Sequence, residues 1–503
     1  MPYTTRHTGV LTAVPAAVLV ALAPSFTASA EPVPSPASSP SALSWEPCEG
    51  EVAEGAEPVP ECATLPVPLD YADPDGPVVS LALSRLPAED DRARRGALFL
   101  IPGGPGGSSL GDPAGKGRKL PQEVRDQYDL IGFAPRGLAP STAVDCGLEH
   151  GDLALSALRP WPAPDGSVDG NTATAQRVAD ACARNGGELI RHIGTANNAR
   201  DLDRVRAALG ERRISAWGVS YGTYVGAVYR EMFPHRTDRI VLDSNDDPDP
   251  ERVARAWLAG HERGVEDVFP HFAAWASKPG NPNRVAETAA EVRPLFLRLA
   301  ARLDREPIPW PGANPEELNG NVLRQTMLDS LYRPGSYPTL AKLMLAARKG
   351  TVPPAPPTPP EAVLQNVAAV GAGTLCNDVA WPKSPALYEK DVAESRAAFP
   401  LTAGMPRNAM PCAAWPYPPR RAPVRITDRG PSNVLLVQNE RDAATPLAGA
   451  RKLREALGGR AVMVTVNSTG HGSYLADGNA CGDAAVSRFL STGERPARDT
   501  YCR

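Results

Sequence analysis

Apolar runs of about six residues recur along this chain, separated by stretches with helical spacing. Runs without polar alternation are typical of strands that are covered on both faces. Residues 198–209, which precede one of these runs, place Leu202, Val205 and Leu209 on one face of an amphipathic helix. The repeated order of strand, helix and strand predicts a parallel sheet with right-handed crossovers. The strands predicted from these runs are residues 96–101, 128–133, 214–218, 239–244, 433–438 and 460–466.

Two regions depart from this pattern. Before the first buried run, residues 67–71 and 78–86 are bounded by turn residues and the second alternates, which predicts an antiparallel opening to the sheet. Between residues 248 and 425, helical spacing and proline-rich stretches dominate, and the sequence gives no signal for a buried strand. We therefore predict an α/β chain: a mostly parallel sheet with helices on both faces and a large, mainly helical insertion.

The N-terminal residues have the features of a signal peptide. An apolar run at 9–24 follows a weakly basic start, and Ala28-Ser29-Ala30 supplies a small-x-small cleavage pattern. The run is short for a membrane span, so we expect a secreted, extracellular protein with no membrane association after cleavage; the alternative is an uncleaved anchor. The predicted organisation is a signal peptide (1–30), a Pro/Ser linker (31–43), an N-terminal core (44–247), a helical lid (248–425) and a C-terminal core (426–503).

The cysteine content and the net charge argue against a metal-binding and a nucleic-acid-binding protein. Eight cysteines, an even number in an exported chain, favour disulfides over metal binding, and no pair has metal-ligand spacing with nearby histidines. We therefore expect no metal and no cofactor. The formal net charge of −4 and the lack of a basic block give no support to nucleic-acid binding. Proximity along the chain suggests the pairs Cys48–Cys62, Cys146–Cys182, Cys376–Cys412 and Cys481–Cys502.

The most informative stretch is residues 215–224, where a buried run leads into Gly218-Val219-Ser220-Tyr221-Gly222 and then into a helix. A serine in a strand-turn-helix context of this kind is exposed above the sheet as a nucleophile. Glycines flank it because the strained turn brings backbones close together. The pentapeptide alone also fits a turn serine in a glycine-rich loop, so its meaning depends on the residues that follow.

A nucleophilic serine needs a base and an acid, in the order Ser, Asp or Glu, His on this kind of sheet. Among seven histidines, His471 is the one that follows the last buried run, and its flanking glycines predict a mobile, accessible loop. Asp442 and Glu440 both follow the run at 433–438. We choose Asp442, since it stands just before Thr445-Pro446, which opens a helix, and we expect Glu440 to form a loop salt bridge. The alternatives are a surface histidine and a helix-capping aspartate.

Two backbone N–H groups should stabilise the oxyanion. One is expected from Tyr221, the residue after the nucleophile, and the other from the loop after the run at 96–101. That loop reads Pro102-Gly103-Gly104-Pro105-Gly106. We choose Gly104 for the second donor, with Gly103 as the next candidate.

This ordered set of motifs resembles the α/β-hydrolase peptidases related to prolyl aminopeptidase and, among them, the secreted tripeptidyl aminopeptidases of actinobacteria. Those proteins share a Gly-Gly-Pro-Gly loop, a Gly-x-Ser-Tyr-Gly elbow, a helical lid and a cysteine-bearing C-terminal segment. The resemblance implies an α/β-hydrolase fold with the lid inserted before Asp442, and cleavage near the free N-terminus of peptides. Pro102 and Ala134 stand where prolyl aminopeptidases often have His and Asp, so a strict proline preference is not implied.

An exopeptidase of this kind must hold the α-ammonium group of its substrate, which buried carboxylates do best. The candidates are Asp246 and Asp247, just after the run at 239–244, and Asp378 in the lid beside Cys376. Each could instead be a solvated loop acid. Arg136, in the turn after the run at 128–133, is expected to be a structural bridge between loops.

The leading interpretation is a monomeric, secreted serine exopeptidase acting on peptides with a free N-terminus. A second interpretation keeps the Ser-Asp-His triad but changes the substrate to a small ester or amide. A third, from another class, is a catalytically inactive hydrolase scaffold that serves as a binding module.

Overall fold

The structure is a computed structural model that describes residues 43–154, 156–157, 159–252, 255–476 and 479–503. The predicted signal peptide, and the predicted linker apart from its last residue, lie outside these residues. Within the described ranges, no helix has the length and apolarity that a membrane crossing requires.

The strands form one large sheet and one small hairpin. In the described residues, ten strands follow the order β1-β2-β3-β5-β4-β6-β7-β10-β11-β12, and β8 pairs with β9. Neighbours are antiparallel from β1 through the β3–β5 pair and parallel from there to β12. The strands are β1 (Glu46–Pro47), β2 (Glu61–Pro68), β3 (Val78–Leu86), β4 (Gly96–Ile101), β5 (Tyr128–Phe133), β6 (Ile214–Ser220), β7 (Thr237–Asn245), β8 (Ile308–Pro309), β9 (Glu317–Leu318), β10 (Val434–Arg441), β11 (Ala461–Thr469) and β12 (Thr500–Cys502).

Helices lie between the strands and in a long stretch between β7 and β10. The α-helices of the described residues are α1 (Asp112–Gly115), α2 (Gln122–Arg125), α3 (Asp169–Asn185), α4 (Thr195–Ala208), α5 (Tyr221–Met232), α6 (Arg255–Ser277), α7 (Ala289–Arg305), α8 (Gly320–Leu331), α9 (Tyr337–Lys349), α10 (Glu361–Asp378), α11 (Pro385–Ala398), α12 (Leu447–Leu457) and α13 (Ala480–Thr492).

Both faces of the sheet are covered, as the unalternating apolar runs predicted. In β4, Phe99 packs in a core shared with α4, α5 and α12, while Leu98 packs in a second core with α13. Successive side chains of a strand point to opposite faces, so a strand covered by helices on both sides must be apolar throughout. The predicted mostly parallel sheet with helices on both faces is therefore confirmed.

The helices between β7 and β10 have a core of their own. Phe269, Phe296 and Leu328, from three of these helices, pack together with Trp161, which precedes α3. A further core joins the segment around the Cys146–Cys182 disulfide to α10. Trp381 and Trp415 are buried in this further core. The cores of the helical region thus include residues that precede the nucleophile in the chain. The predicted lid boundaries at 248 and 425 stay a prediction.

The first predicted strand, 67–71, is wrong in its position. The structure places β2 at Glu61–Pro68, antiparallel to β3, with Val67 opposite Val79. This register buries alternate apolar residues of β2, whereas Asp70 already belongs to the turn that closes the hairpin, where its carbonyl accepts the Asp73 N–H. The turn residue therefore ends the strand earlier than the apolar pattern suggested.

Disulfides join the four sequential pairs that chain proximity suggested. The bonds are Cys48–Cys62, Cys146–Cys182, Cys376–Cys412 and Cys481–Cys502.

Arg136 bridges loops, as expected. Its guanidinium is fully buried and contacts both carboxylate oxygens of Asp201 at 2.7 and 2.6 Å. It also donates to the carbonyls of Leu69 and Pro68. Asp201 accepts a further hydrogen bond from the Tyr71 hydroxyl. The arginine therefore fixes the turn after β5 against both α4 and the β2–β3 hairpin.

We expect Arg136→Met to lower the free energy of unfolding by about 3–5 kcal/mol, because it leaves the Asp201 carboxylate buried without its cation. Urea denaturation at equilibrium measures this loss. Arg429→Met, at an exposed arginine, is the matched control and should change stability by less than about 0.5 kcal/mol. Equal effects of the two substitutions would contradict the structural role of Arg136.

Candidate active site

Ser220 occupies a strained turn between β6 and α5. Its φ of 59° lies in the left-handed region, which non-glycine residues rarely adopt. A Cβ at Gly218 would lie 2.3 Å from the Gly222 carbonyl oxygen, and a Cβ at Gly222 would lie 2.3 Å from that of Ile101. Both flanking glycines are therefore sterically required for the turn.

The predicted acid and base lie together at the ends of β10 and β11. Nδ1 of His471 is 3.0 Å from both Oδ1 and Oδ2 of Asp442. Asp442 Oδ1 also accepts the N–H groups of Ala444 and Thr445, each at 2.9 Å. The Thr445 hydroxyl donates to Asp442 Oδ2 at 3.0 Å. These donors fix the Asp442 carboxylate in the orientation in which both of its oxygens lie beside the imidazole.

Electrostatics favours the charged form of each partner. Burial alone would raise the pKa of Asp442, but the imidazole beside it and the Thr445 and Ala444 amides lower the pKa below its usual value. Burial would likewise lower the pKa of His471, but the Asp442 carboxylate, assisted by Asp246 and Asp243, raises the pKa above 6.5. The pair can therefore stabilise an imidazolium when a proton arrives.

The Ser220 hydroxyl is not yet engaged with the base. Among the described residues, Nδ1 of His471 bonds to Asp442, and its Nε2 forms no hydrogen bond with Ser220 Oγ. Proton transfer between the two residues requires that contact to form, and such contacts commonly tighten when substrate binds.

The raised pKa of His471 predicts a pH profile. A general base acts in its neutral form, and a raised pKa keeps the imidazole protonated to higher pH, so kcat/KM should rise with pH around a midpoint above 6.5. Asp442→Asn removes the main raising influence and should lower that midpoint. The dependence of kcat/KM on pH measures both shifts. His150→Gln, at an exposed histidine, is the control and should leave the midpoint unchanged.

The candidate oxyanion donors lie beside the nucleophile turn. Tyr221 begins α5, and its hydroxyl points to Thr195 and Asn198 at 2.9 and 3.2 Å. A Cβ at Gly103 would lie 3.0 Å from Ser220 Cβ and 3.6 Å from its Oγ. A Cβ at Gly104 would instead meet the Gly106 and Gly107 nitrogens at 2.9 Å. Gly103 thus approaches Ser220 directly, and the choice of Gly104 as donor stays a prediction.

The three predicted ammonium-binding acids have different surroundings. Asp247 forms a 2.5 Å salt bridge with Lys452. Asp378 accepts the Thr195 N–H at 2.8 Å and also the Thr195 hydroxyl, so it ties the end of α10 to the start of α4. Asp246 is buried, and within the described residues its carboxylate has no hydrogen-bond donor. Burial, the Asp442 charge and the Asp247 charge raise the pKa of Asp246 to about 7, against the lowering effect of His471.

The backbone links Asp246 to the nucleophile turn. Its N–H donates to the Thr223 hydroxyl at 3.1 Å, and that hydroxyl donates to the Ser220 carbonyl at 2.6 Å. Asp246 also lines a cavity of about 210 Å³ together with Trp257 and Thr445. Of the three acids, Asp246 is therefore the one placed beside the Ser220 turn with an unpaired carboxylate.

Some residues of this site carried no sequence signal. The carbonyl of Tyr332, which follows α8 in the helical region, accepts the backbone N–H of His471 at 2.7 Å, and the two rings meet edge to face at 5.0 Å. Gly264 of α6 also fits tightly against this region, since a Cβ there would lie 2.6 Å from the Asp442 carbonyl oxygen. These contacts depend on how the helical region docks, which local patterns do not encode.

The glycines around His471 differ from the expectation of a mobile loop. Gly470 and Gly472 have φ values of 131° and 90°, which side-chain-bearing residues rarely adopt. The His471 side chain is only 11% exposed. The glycines therefore shape a defined, hydrogen-bonded loop.

A cavity of about 680 Å³ adjoins the glycine-rich loop. Gly104 and Pro105 form part of its wall, and α10 contributes Val367 and Leu375. Its volume falls within the range of sites that enclose small ligands. Polar groups from Asn171 and the loop before α8 lie among mainly apolar walls.

Comparison with known proteins identifies the family. A family model described as "TAP-like protein" matches residues 399–502. A tripeptidyl aminopeptidase of Streptomyces lividans is 31% identical over 442 residues, which cover 86% of this chain and 82% of the relative. The serine protease Hip1 of Mycobacterium tuberculosis is 29% identical over 461 residues, covering 86% and 85%. Carboxylesterase B of the same organism is 29% identical over 455 residues, covering 86% and 84%. The chain belongs to the tripeptidyl aminopeptidase-like family of α/β-hydrolases, and it is a serine peptidase.

Proposed function

We propose that this protein is a secreted serine exopeptidase that cleaves peptides near a free N-terminus. Ser220 Oγ attacks the scissile carbonyl while His471 takes its proton, and Asp442 stabilises the imidazolium. The imidazolium then gives that proton to the leaving amine, which releases the C-terminal product and leaves an acyl-enzyme on Ser220. Water, deprotonated by His471, hydrolyses the ester and restores the serine.

The observation that carries this proposal is the Asp442–His471 pair at the same end of the sheet as the strained Ser220 turn. A serine hydroxyl is a weak nucleophile without such a base. The N–H groups of Tyr221 and of Gly104, or of Gly103 beside it, are proposed to hold the oxyanion.

Exopeptidase action is supported by the large cavity beside the glycine-rich loop. Its walls come from both the Gly104–Pro105 turn and the helical region, so a chain bound there would contact the candidate oxyanion loop and the helices at once. The name of the Streptomyces relative, a tripeptidyl aminopeptidase, agrees with this reading. Export is supported by four disulfides, which persist in oxidising compartments, and by the signal-like N-terminal sequence.

A panel of peptides tests the proposal. Each sequence is supplied with a free and with an acetylated N-terminus, and the products are identified by mass spectrometry. We expect cleavage of the free peptides only, with release of one short N-terminal fragment of constant length. Cleavage at internal sites of acetylated peptides would overturn the exopeptidase assignment.

Ester hydrolysis is the second candidate function, since one relative is named a carboxylesterase. Short-chain esters included in the same panel separate the two. Turnover of these esters without any cleavage of free peptides would favour the second candidate.

We further propose that Asp246 binds the α-ammonium group of the substrate. Among the described residues its buried carboxylate accepts no hydrogen bond, whereas Asp247 and Asp378 are already engaged. Inhibition constants for a short product peptide and its des-amino analogue measure this preference. Asp246→Asn should weaken binding of the peptide about 10-fold and leave the analogue unchanged, since a hydrogen-bonded charge pair is lost. Asp247→Asn is the matched control. Equal weakening of both ligands would count against the assignment.

A further inference from the structure

Every backbone N–H from Gly470 to Leu475, the segment that carries His471, is hydrogen-bonded to another part of the chain. The first two donate to carbonyls, those of Arg441 and Tyr332. The next three donate to side chains at the end of β7. Gly472 N–H donates to Ser244 Oγ at 2.8 Å, Ser473 N–H to Asp243 Oδ1 at 2.8 Å, and Tyr474 N–H to Asp243 Oδ2 at 3.0 Å. Leu475 N–H donates to Asp483 Oδ1 at 2.8 Å.

Asp243 is an unusual residue for its position. It is 1% exposed and directly follows the buried apolar residues Ile240, Val241 and Leu242 of β7, in the interior of the sheet. Both of its oxygens face the segment that follows His471, and the Trp217 indole N–H lies 3.4 Å from Oδ2. Burial raises the pKa of Asp243 to about 6, although the Tyr474 and Ser473 amides oppose that rise. A buried carboxylate is costly, and within the described part of the chain Asp243 forms no salt bridge that would offset this cost.

The neighbouring Ser244 is also constrained. Its φ is 58°, in the left-handed region, and this turn of the backbone accompanies the hydrogen bond that its Oγ accepts from the Gly472 N–H. Asn439 of β10 also holds the loop that carries His471, since its side-chain amide donates to the Gly470 and Gly472 carbonyls at 2.9 and 3.0 Å. The loop is therefore held from β7 and β10 at once.

We propose that Asp243, together with Ser244, is a positioning residue for His471. Asp442 orients the ring at Nδ1, while Asp243 and Ser244 fix the backbone on the C-terminal side of the histidine. Without these hydrogen bonds, the backbone at Gly470 and Gly472, on either side of His471, could rotate. Such a rotation would carry Nε2 of His471 away from Ser220. A misplacement of about 1 Å between reacting groups can cost roughly 100-fold in rate. This inference rests on the role proposed above for His471.

Asp243→Asn tests the proposal because it keeps the shape of the side chain and replaces one acceptor with a donor that faces a backbone N–H. We expect kcat for peptide cleavage to fall about 10- to 100-fold while KM changes less than about twofold. The matched control is Asp129→Asn. Asp129 is also buried, on β5, and its carboxylate accepts the Ala88 N–H and pairs with Arg94, away from the His471 loop. The control should keep kcat within about twofold of the wild type, whatever its melting temperature.

A spectroscopic readout separates positioning from a general loss of stability. The proton on His471 Nδ1, bonded to Asp442, should give a downfield proton resonance in the wild type. In Asp243→Asn this resonance should broaden or shift, whereas in Asp129→Asn it should stay unchanged. An Asp243→Asn protein with wild-type kcat, or with lowered kcat and an unaltered resonance, would overturn the proposal.

Two further measurements keep the test independent of folding and of substrate class. If Asp243→Asn does not fold, Ser244→Ala removes only the acceptor of Gly472 N–H and should lower kcat about three- to tenfold, and unchanged kcat would contradict the proposal. The rate at which a fluorophosphonate labels Ser220 should fall in parallel with kcat. Since labelling needs no peptide, a mistaken substrate assignment would alter the wild-type product analysis but leave this comparison intact.

Discussion

Ser220→Ala should abolish peptide cleavage, lowering kcat by roughly 10⁴- to 10⁶-fold, because no other group can form the acyl-enzyme. Residual turnover above the uncatalysed rate would reflect the oxyanion donors and substrate binding alone. The fold should survive, since alanine can occupy the same strained turn between Gly218 and Gly222. Stopped assays with a free-N-terminus peptide and its product masses measure the loss.

The control for this substitution is Ser432→Ala, at an exposed serine whose hydroxyl donates to the Gly459 carbonyl. It should leave kcat and KM unchanged. A Ser220→Ala protein that retains more than about one hundredth of wild-type kcat would contradict covalent catalysis by this residue.

Asp442→Asn should lower kcat by about 10³- to 10⁴-fold with little change in KM. Asparagine keeps the size of the side chain, but it removes the charge that stabilises the His471 imidazolium and can hold the imidazole in the wrong tautomer. The buried carboxylate has two oxygens at 3.0 Å from Nδ1, so no second acid is needed. Steady-state kinetics with a free peptide measures the effect.

Glu440→Gln is the matched control, because Glu440 is the other acid at the end of β10. Its carboxylate pairs with Arg441 at 2.7 Å and accepts the Tyr501 hydroxyl at 3.0 Å. We expect less than a threefold change in kcat, as for an ordinary partly exposed ion pair. A larger loss in Glu440→Gln than in Asp442→Asn would reverse the choice of acid.

Much of the core could be predicted from the sequence because its strands are buried on both faces. Such strands leave continuous apolar runs, and β4 and β5 have the predicted limits. The strand β2 was misplaced because its pattern is mixed and its end is set by pairing with β3. The region between β7 and β10 was predicted to be mainly helical. Its core, however, also includes Trp161, which lies far earlier in the chain.

The candidate active site, like the fold, could be predicted from the sequence only in part. The order of Ser220, Asp442 and His471 along the chain can be read from the sequence, because each follows a recognisable strand. Asp243 could have been noticed as an acid at the end of an apolar run, although its partners could not. Tyr332 offers no local signal, since its contact with His471 exists only once the helices dock over the sheet.

Covalent labelling of Ser220 tests the central claim most directly. The wild-type enzyme is treated with diisopropyl fluorophosphate until peptide cleavage stops, and the adduct is mapped by tandem mass spectrometry. We predict one adduct per chain, on Ser220, with activity lost in proportion to its formation and unaffected by chelators. Full cleavage activity in a completely labelled protein, or an adduct on a different serine, would contradict the account.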